Sequence, residues 1–100
     1  MKIMISQPMY GKTEKQIREE REPLKNTLKQ LDHEVIDTIF TEDAPENVNA
    51  GVWYLAKSIE AMSKADAVIF MQGWEKARGC KIEHEIAIKY NKFIKEVEEI

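Results

Sequence analysis

The chain has 100 residues, 43% hydrophobic and 33% charged, with a net charge of −3. One globular domain of ordinary soluble composition is expected, and the acidic balance argues against a nucleic-acid polymer as partner, because such proteins carry a basic face. No apolar run is long enough to span a bilayer and the N-terminus lacks a signal-peptide pattern, so a cytoplasmic protein with no membrane association is expected.

In chain order, Lys2 to Ser6 is a short apolar strand stopped by Gln7-Pro8. Thr13 and Gln16 then form a capping box. The helix it opens extends to Leu31, with Ile17, Leu24, Leu28 and Leu31 as the expected buried stripe. Pro23 interrupts it; an interior proline costs about 3 kcal/mol, so a kink or a fresh start is expected there. Asp32-His33 is a turn, and Glu34 to Phe40 is the second strand.

Thr41 to Gly51 is polar and without period, a loop or a mobile lid. Val52, Leu55, Ile59 and Met62 mark the next helix, while Trp53, Tyr54 and Ala56 widen its apolar face and leave spare surface for a subunit contact. Ala65 to Met71 is apolar on both faces, as central parallel strands are. The last helix runs from about Gly79 to Tyr90. Phe93-Ile94 is then either a short edge strand or, with Lys92, Lys95, Glu96, Glu98 and Glu99 around it, part of a fraying end.

Alternation of strands and helices predicts an α/β fold: a three-layer, doubly wound parallel sheet of the flavodoxin or Rossmann type. The expected strand order is 2-1-3, with a possible short fourth edge strand. Ligands of such sheets bind at the carboxyl ends of the strands, where the order reverses. The ends of strands one and three therefore bring Ser6, Gln7, Met9, Tyr10, Gln72, Gly73, Trp74 and Glu75 toward one crevice.

On the last helix, Ile82 and Ile86, with Phe93 beyond it, are assigned to the core face, Glu83 and Tyr90 to one flank, Glu85 to the other and His84 to solvent. Glu83 is thus the carboxylate best placed to look into the crevice, against the plainer reading of a solvated glutamate near a helix N-terminus. Gly73 and Gly79 match neither dinucleotide nor phosphate-loop spacing and read as turn glycines. Arg78 and Lys81 are either phosphate ligands or solvated charges. Trp74 either caps the sheet edge or walls a slot for a flat base. Tyr10 either reaches a ligand or covers the crevice. The single cysteine, Cys80, excludes an internal disulfide and reads as a small buried filler rather than a nucleophile. No metal-ligand spacing appears among Cys80, His33 and His84, so no metal centre and no cofactor are expected.

Met1 to Lys12, the run Met62 to Asp66, and Gly73-Trp74-Glu75 followed by Gly79-Cys80-Lys81-Ile82-Glu83 resemble the nucleoside 2-deoxyribosyltransferase family. More closely, they are similar to its small phage and bacterial relatives of unassigned function. The most specific part is Gly79-x-x-x-Glu83 with Ala87 after it. The resemblance implies that Glu83 attacks the anomeric carbon of a deoxynucleoside, expels the base and holds the sugar as an ester until water or a second base collects it. It implies a small-molecule nucleoside or nucleotide as substrate, with Ser6, Gln7, Met9, Tyr10, Ser58, Gly73, Trp74, Glu75, Arg78 and Gly79 around it. The family's transferases complete their sites from a neighbouring subunit; here a homodimer or larger assembly is expected because the crevice lies open and the second helix has apolar surface left over. The family's strand-one tyrosine falls at Ile3 and its base-contacting aspartate at Ser58. Ile3 donates no hydrogen bond, and Ser58 only through a neutral hydroxyl.

Overall fold

A computed structural model describes residues 1–90 and 92–97. The elements are β1 (Lys2–Ser6), α1 (Glu14–Gln30), β2 (Glu34–Ile36), α2 (Ala50–Ser63), β3 (Ala67–Phe70), α3 (Arg78–Lys89) and β4 (Phe93–Glu96), with a single 3-10 turn at Trp74–Lys76 before α3. All strands are parallel, in the order β2-β1-β3-β4. This is the three-layer Rossmann or flavodoxin arrangement that the alternating pattern predicts, with the fourth edge strand present. Glu98 and Glu99, part of the predicted fraying end, lie outside the described residues.

Alternation along the strands supplies two cores. Ile3, Ile5, Ala67, Ile69 and Met71 meet Leu28, with Leu24 beside them, beneath α1. On the other face Met4, Val68 and Phe70 meet Met62 of α2 and Ala87 of α3. Every residue of β3 is buried, which accounts for its unbroken apolar run. The Asp66 carboxylate accepts the Lys2 backbone N–H at 2.8 Å, and the Asp66 N–H bonds the Lys2 carbonyl at 2.7 Å, so the two central strands start in register.

Several local expectations are corrected. The Thr13–Gln16 capping box forms with both of its bonds, and α1 continues through Pro23 as one helix, with no fresh start there. The proline is exposed, and Thr27 Oγ1 donates to its carbonyl at 3.0 Å. Leu31 is the C-cap and is 62% exposed, not buried. The second strand stops at Ile36 instead of Phe40. There Asp37 Oδ1 accepts the Ile39 N–H at 2.9 Å, and Thr38 Oγ1 donates to the Ile5 carbonyl at 3.1 Å; side chains replace the next rungs of the ladder. The third strand spans Ala67–Phe70, inside the predicted Ala65 to Met71. Asn49 caps α2 by accepting the Val52 N–H, so that helix starts at Ala50 and leaves Val52 63% exposed.

The inward face of α3 differs most. Cys80, Glu83 and Ala87 are buried, whereas Ile82 is 38% exposed and Tyr90 75%. Phe93, expected in the core, stands 73% exposed on β4. His84 does not point to solvent: its ring stacks on Trp74 at 4.0 Å and meets Phe70 edge-on, and Nε2 bonds Glu96 at 2.8 Å. That contact ties α3 to the edge strand.

Candidate active site

At the carboxyl edge of the sheet an open cavity of about 890 Å³ lies between β1, α2 and α3. Its wall after β1 is Ser6, Gln7, Met9 and Tyr10; α2 contributes Val52, Tyr54 and Leu55; α3 contributes Arg78, Gly79, Cys80, Ile82 and Glu83. Glu83 is its one carboxylic acid among the described residues.

The position of Glu83 follows from the phase of α3. Ala87, fully buried, lies where the helix is packed against the sheet, and a small residue suits that approach. Cys80 and Glu83 fall on the same face, seven and four residues earlier along the helix. Glu83 is consequently only 6% exposed, yet it borders the cavity. A buried carboxylate must be hydrogen-bonded to be tolerated. Ser6, at the last position of β1 and on the face toward α3, donates its hydroxyl to Glu83 Oε1 at 2.7 Å.

Burial pushes the Glu83 carboxyl up from its ordinary range. The Ser6 hydroxyl, the Ser58 hydroxyl on α2 and the charge of Arg21 all pull it back down. Of the two serines, only Ser6 makes a hydrogen bond of standard geometry. Cys80 is buried beside the pair; desolvation raises its thiol to about 11, with Ser6 lowering it and Glu83 raising it. At neutral pH Cys80 is a protonated filler, as its sequence context predicts.

The structure brings Ser6, Gln7, Met9, Tyr10, Arg78, Gly79 and Glu83 to one cavity, and Ser58 is not among the residues of its wall. It leaves Gln72, Gly73, Trp74 and Glu75 off the cavity wall. Trp74 packs on Phe70 and His84, so of its two readings the sheet-edge cap describes its surroundings. Gly73 has φ 89°, and a side chain there would approach Pro8; this is the turn glycine that the strand-to-helix connection needs. Tyr10 is fully exposed at the cavity rim. Gln7 borders the cavity, but its amide is engaged with α1: Nε2 donates to the Ile17 carbonyl at 3.0 Å and to Glu20 at 3.1 Å, and Oε1 accepts from Arg21 at 2.9 Å.

Two residues behind this wall escape a sequence reading. Arg21 is 3% exposed, and Thr38 is buried next to it, donor and acceptor at 3.0 Å. The available signal is positional, because Arg21 falls on the stripe Ile17, Leu24, Leu28 where a charge is out of place.

Residues 1–96 match a family model described as a domain of unknown function, DUF4406. The chain belongs to DUF4406. No curated protein and no solved structure matches it. In this DUF4406 member the match takes in every strand and helix described above, Glu83 and the cavity wall included. No helix among the described residues is long and apolar enough to cross a membrane.

Proposed function

We propose that the protein cleaves the N-glycosidic bond of a deoxynucleoside or deoxynucleoside monophosphate, or transfers its 2-deoxyribosyl group, with Glu83 as nucleophile. The observation that carries this reading is a shielded carboxylate, held by Ser6 at 2.7 Å, on the wall of an open cavity of about 890 Å³. A carboxylate oxygen bonds to the anomeric carbon as the bond to the base nitrogen breaks. The base leaves with that electron pair and takes a proton. Water or a second base then attacks the same carbon and frees Glu83.

Cavity volume suits a ligand of nucleotide size. Met9 and Tyr10 offer apolar and aromatic surface for a base. Arg78 and the first N–H groups of α3, whose N-cap Ala77 contributes no side-chain bond, offer a place for a 5′-phosphate. A cytoplasmic setting suits such a substrate. Tyr10, Val52 and Ile82 put exposed apolar surface on the cavity wall, which favours a homodimer or larger assembly covering it. Light scattering that returns a monomer at high concentration removes that part.

A second reading is a nucleotide-binding protein that senses or sequesters its ligand. It is favoured by the absence, among the described residues of the cavity wall, of a carboxylic acid besides Glu83 to protonate the departing base. Ser58 is a neutral hydroxyl. Incubation with a panel of deoxynucleosides and their monophosphates, with free base read by chromatography, separates the two. Release that disappears in Glu83→Ala supports the enzyme. Tight binding without release supports the binder. Neither binding nor release refutes both. Turnover of monophosphates over free nucleosides is expected, and equal turnover dismisses the phosphate contact.

A further inference from the structure

We propose that Arg21 is a positioning residue for Glu83, acting from the opposite face of the sheet both by its positive charge and by holding Gln7, next to Ser6 at the end of β1. The proposal rests on the reading of Glu83 as the functional carboxylate. A guanidinium only 3% exposed must find both hydrogen-bond partners and compensating negative charge. Its bonded partners among the described residues are all neutral: Gln7 Oε1 at 2.9 Å, Thr38 Oγ1 at 3.0 Å and the Ile5 carbonyl at 3.5 Å. Burial pulls Arg21 down to about 10, Asp37 and Glu83 raise it, and Arg18 lowers it. Asp37 exerts the larger of the two attractions, but it is exposed and one of its oxygens is taken by the Ile39 N–H. Water screens Asp37; Glu83 it barely reaches.

Seen from Glu83, Arg21 is the cation that favours the ionised form. Lys76 and Arg78, although on the same cavity, are exposed. The connection is short in sequence. Successive strand residues face opposite sides of a sheet. Ser6 thus reaches α3 and holds Glu83, while Gln7 reaches α1 and holds Arg21. Fixing Gln7 fixes the strand end that carries the Ser6 hydroxyl. The groups around this system are Asp37 after β2, Arg18 and Glu20 on α1, Lys12 paired to Glu20 at 2.9 Å, and Cys80 beside Glu83.

The test is an NMR titration of the side-chain carboxyl carbon of Glu83, in protein without substrate, compared among wild type, Arg21→Met and Arg21→Lys. Removal of the charge is expected to shift the Glu83 midpoint upward while those of surface glutamates stay in place. Arg21→Lys, which keeps the charge but not the guanidinium fork, is expected to retain most of the wild-type midpoint. An unmoved midpoint in folded Arg21→Met overturns the proposal, as does an equal shift in both variants, which would show that the cation itself does not act on Glu83. Should Arg21→Met not fold, Gln7→Met cuts the link while leaving the cation; its Glu83 midpoint must also rise, and an unchanged value is equally fatal. Because the readout is ionisation, a protein that releases no base still reports on Arg21. Loss of base release with a normal Arg21 effect would refute the enzymatic reading alone.

Discussion

Replacing Ser6 by alanine isolates the contact on which the site depends. The substitution removes one oxygen from a position 2% exposed, so packing changes little. It also removes the donor 2.7 Å from Glu83 Oε1, and no other hydrogen bond of standard geometry to that carboxylate is found among the described residues. A hydrogen bond to a buried charged group contributes about 1.5–3 kcal/mol, against about 0.5–1.5 kcal/mol for a neutral pair. For a domain of this size about 2 kcal/mol lowers Tm by roughly 8–16 °C. The loss must depend on pH. Ser6 favours the ionised carboxyl, so the variant moves the Glu83 midpoint further up. Above that midpoint the full charge-assisted bond is missing; below it only a neutral bond is missing. Thermal unfolding of wild type and Ser6→Ala at pH 8 and near pH 4, repeated in a Glu83→Gln background, measures the coupling. A penalty that is the same at both pH values, and the same whether residue 83 is Glu or Gln, would refute the assignment of Ser6 as the partner of a buried charge.

Glu83→Gln on its own is expected to stabilise the protein at pH 8 and, on the proposed enzymatic reading, to abolish base release. The carboxyl is raised on folding, so the native state holds its proton more tightly than the unfolded chain, and the group's contribution falls as pH rises from the ordinary carboxyl range through the native midpoint; a pH–stability profile that keeps this slope in Glu83→Gln contradicts the argument. Cys80, with its thiol near 11 and its side chain buried, is expected to alkylate at pH 8 far more slowly in native than in urea-unfolded protein, and equal rates of iodoacetamide labelling would show that it is accessible. Gly73→Ala forces a side chain to φ 89° and is expected to lose about 1–2 kcal/mol in denaturant melts; a neutral effect would mean that the turn relaxes.

Much of the fold is legible because its signals are local. A hydroxyl three residues before a glutamine starts α1 in the described way, and an apolar run buried on both faces marks β3 as central. Failures occur where a distant partner overrides the local pattern. Residues 37–40 have strand composition, but Thr38 spends its hydroxyl on the Ile5 carbonyl and receives Arg21, so the ladder stops at Ile36. Isoleucines suggest one inner face for α3. The helix instead turns Cys80, Glu83 and Ala87 toward the sheet, with Ile86 half-buried against the same core and Ile82 exposed, and His84 is drawn inward by Trp74 and Glu96. Gly79-x-x-x-Glu83 directs attention to the carboxylate that borders the cavity; its hydrogen-bond donor, Ser6, lies far away in the chain, and no periodicity contains that information.

The end of β1 also explains why the site is costly to build. Strand residues there would stabilise the domain best as aliphatics, each burial contributing roughly 1.5–3 kcal/mol. The chain instead places Ser6 and Gln7, both almost wholly buried, where Met4 and Ile5 have just shown that apolar side chains fit. Each of the two serves a buried ionisable group on its own face of the sheet, Glu83 by Ser6 and Arg21 by Gln7. Replacing buried charged groups together with their partners by well-packed hydrophobic residues is often neutral or stabilising, whereas deleting one partner alone is strongly destabilising. Stability alone therefore gives no reason to keep the set. On the proposed reading, a requirement that one carboxylate stay shielded, oriented and ionisable beside an open cavity does, and it accounts for all four residues at once.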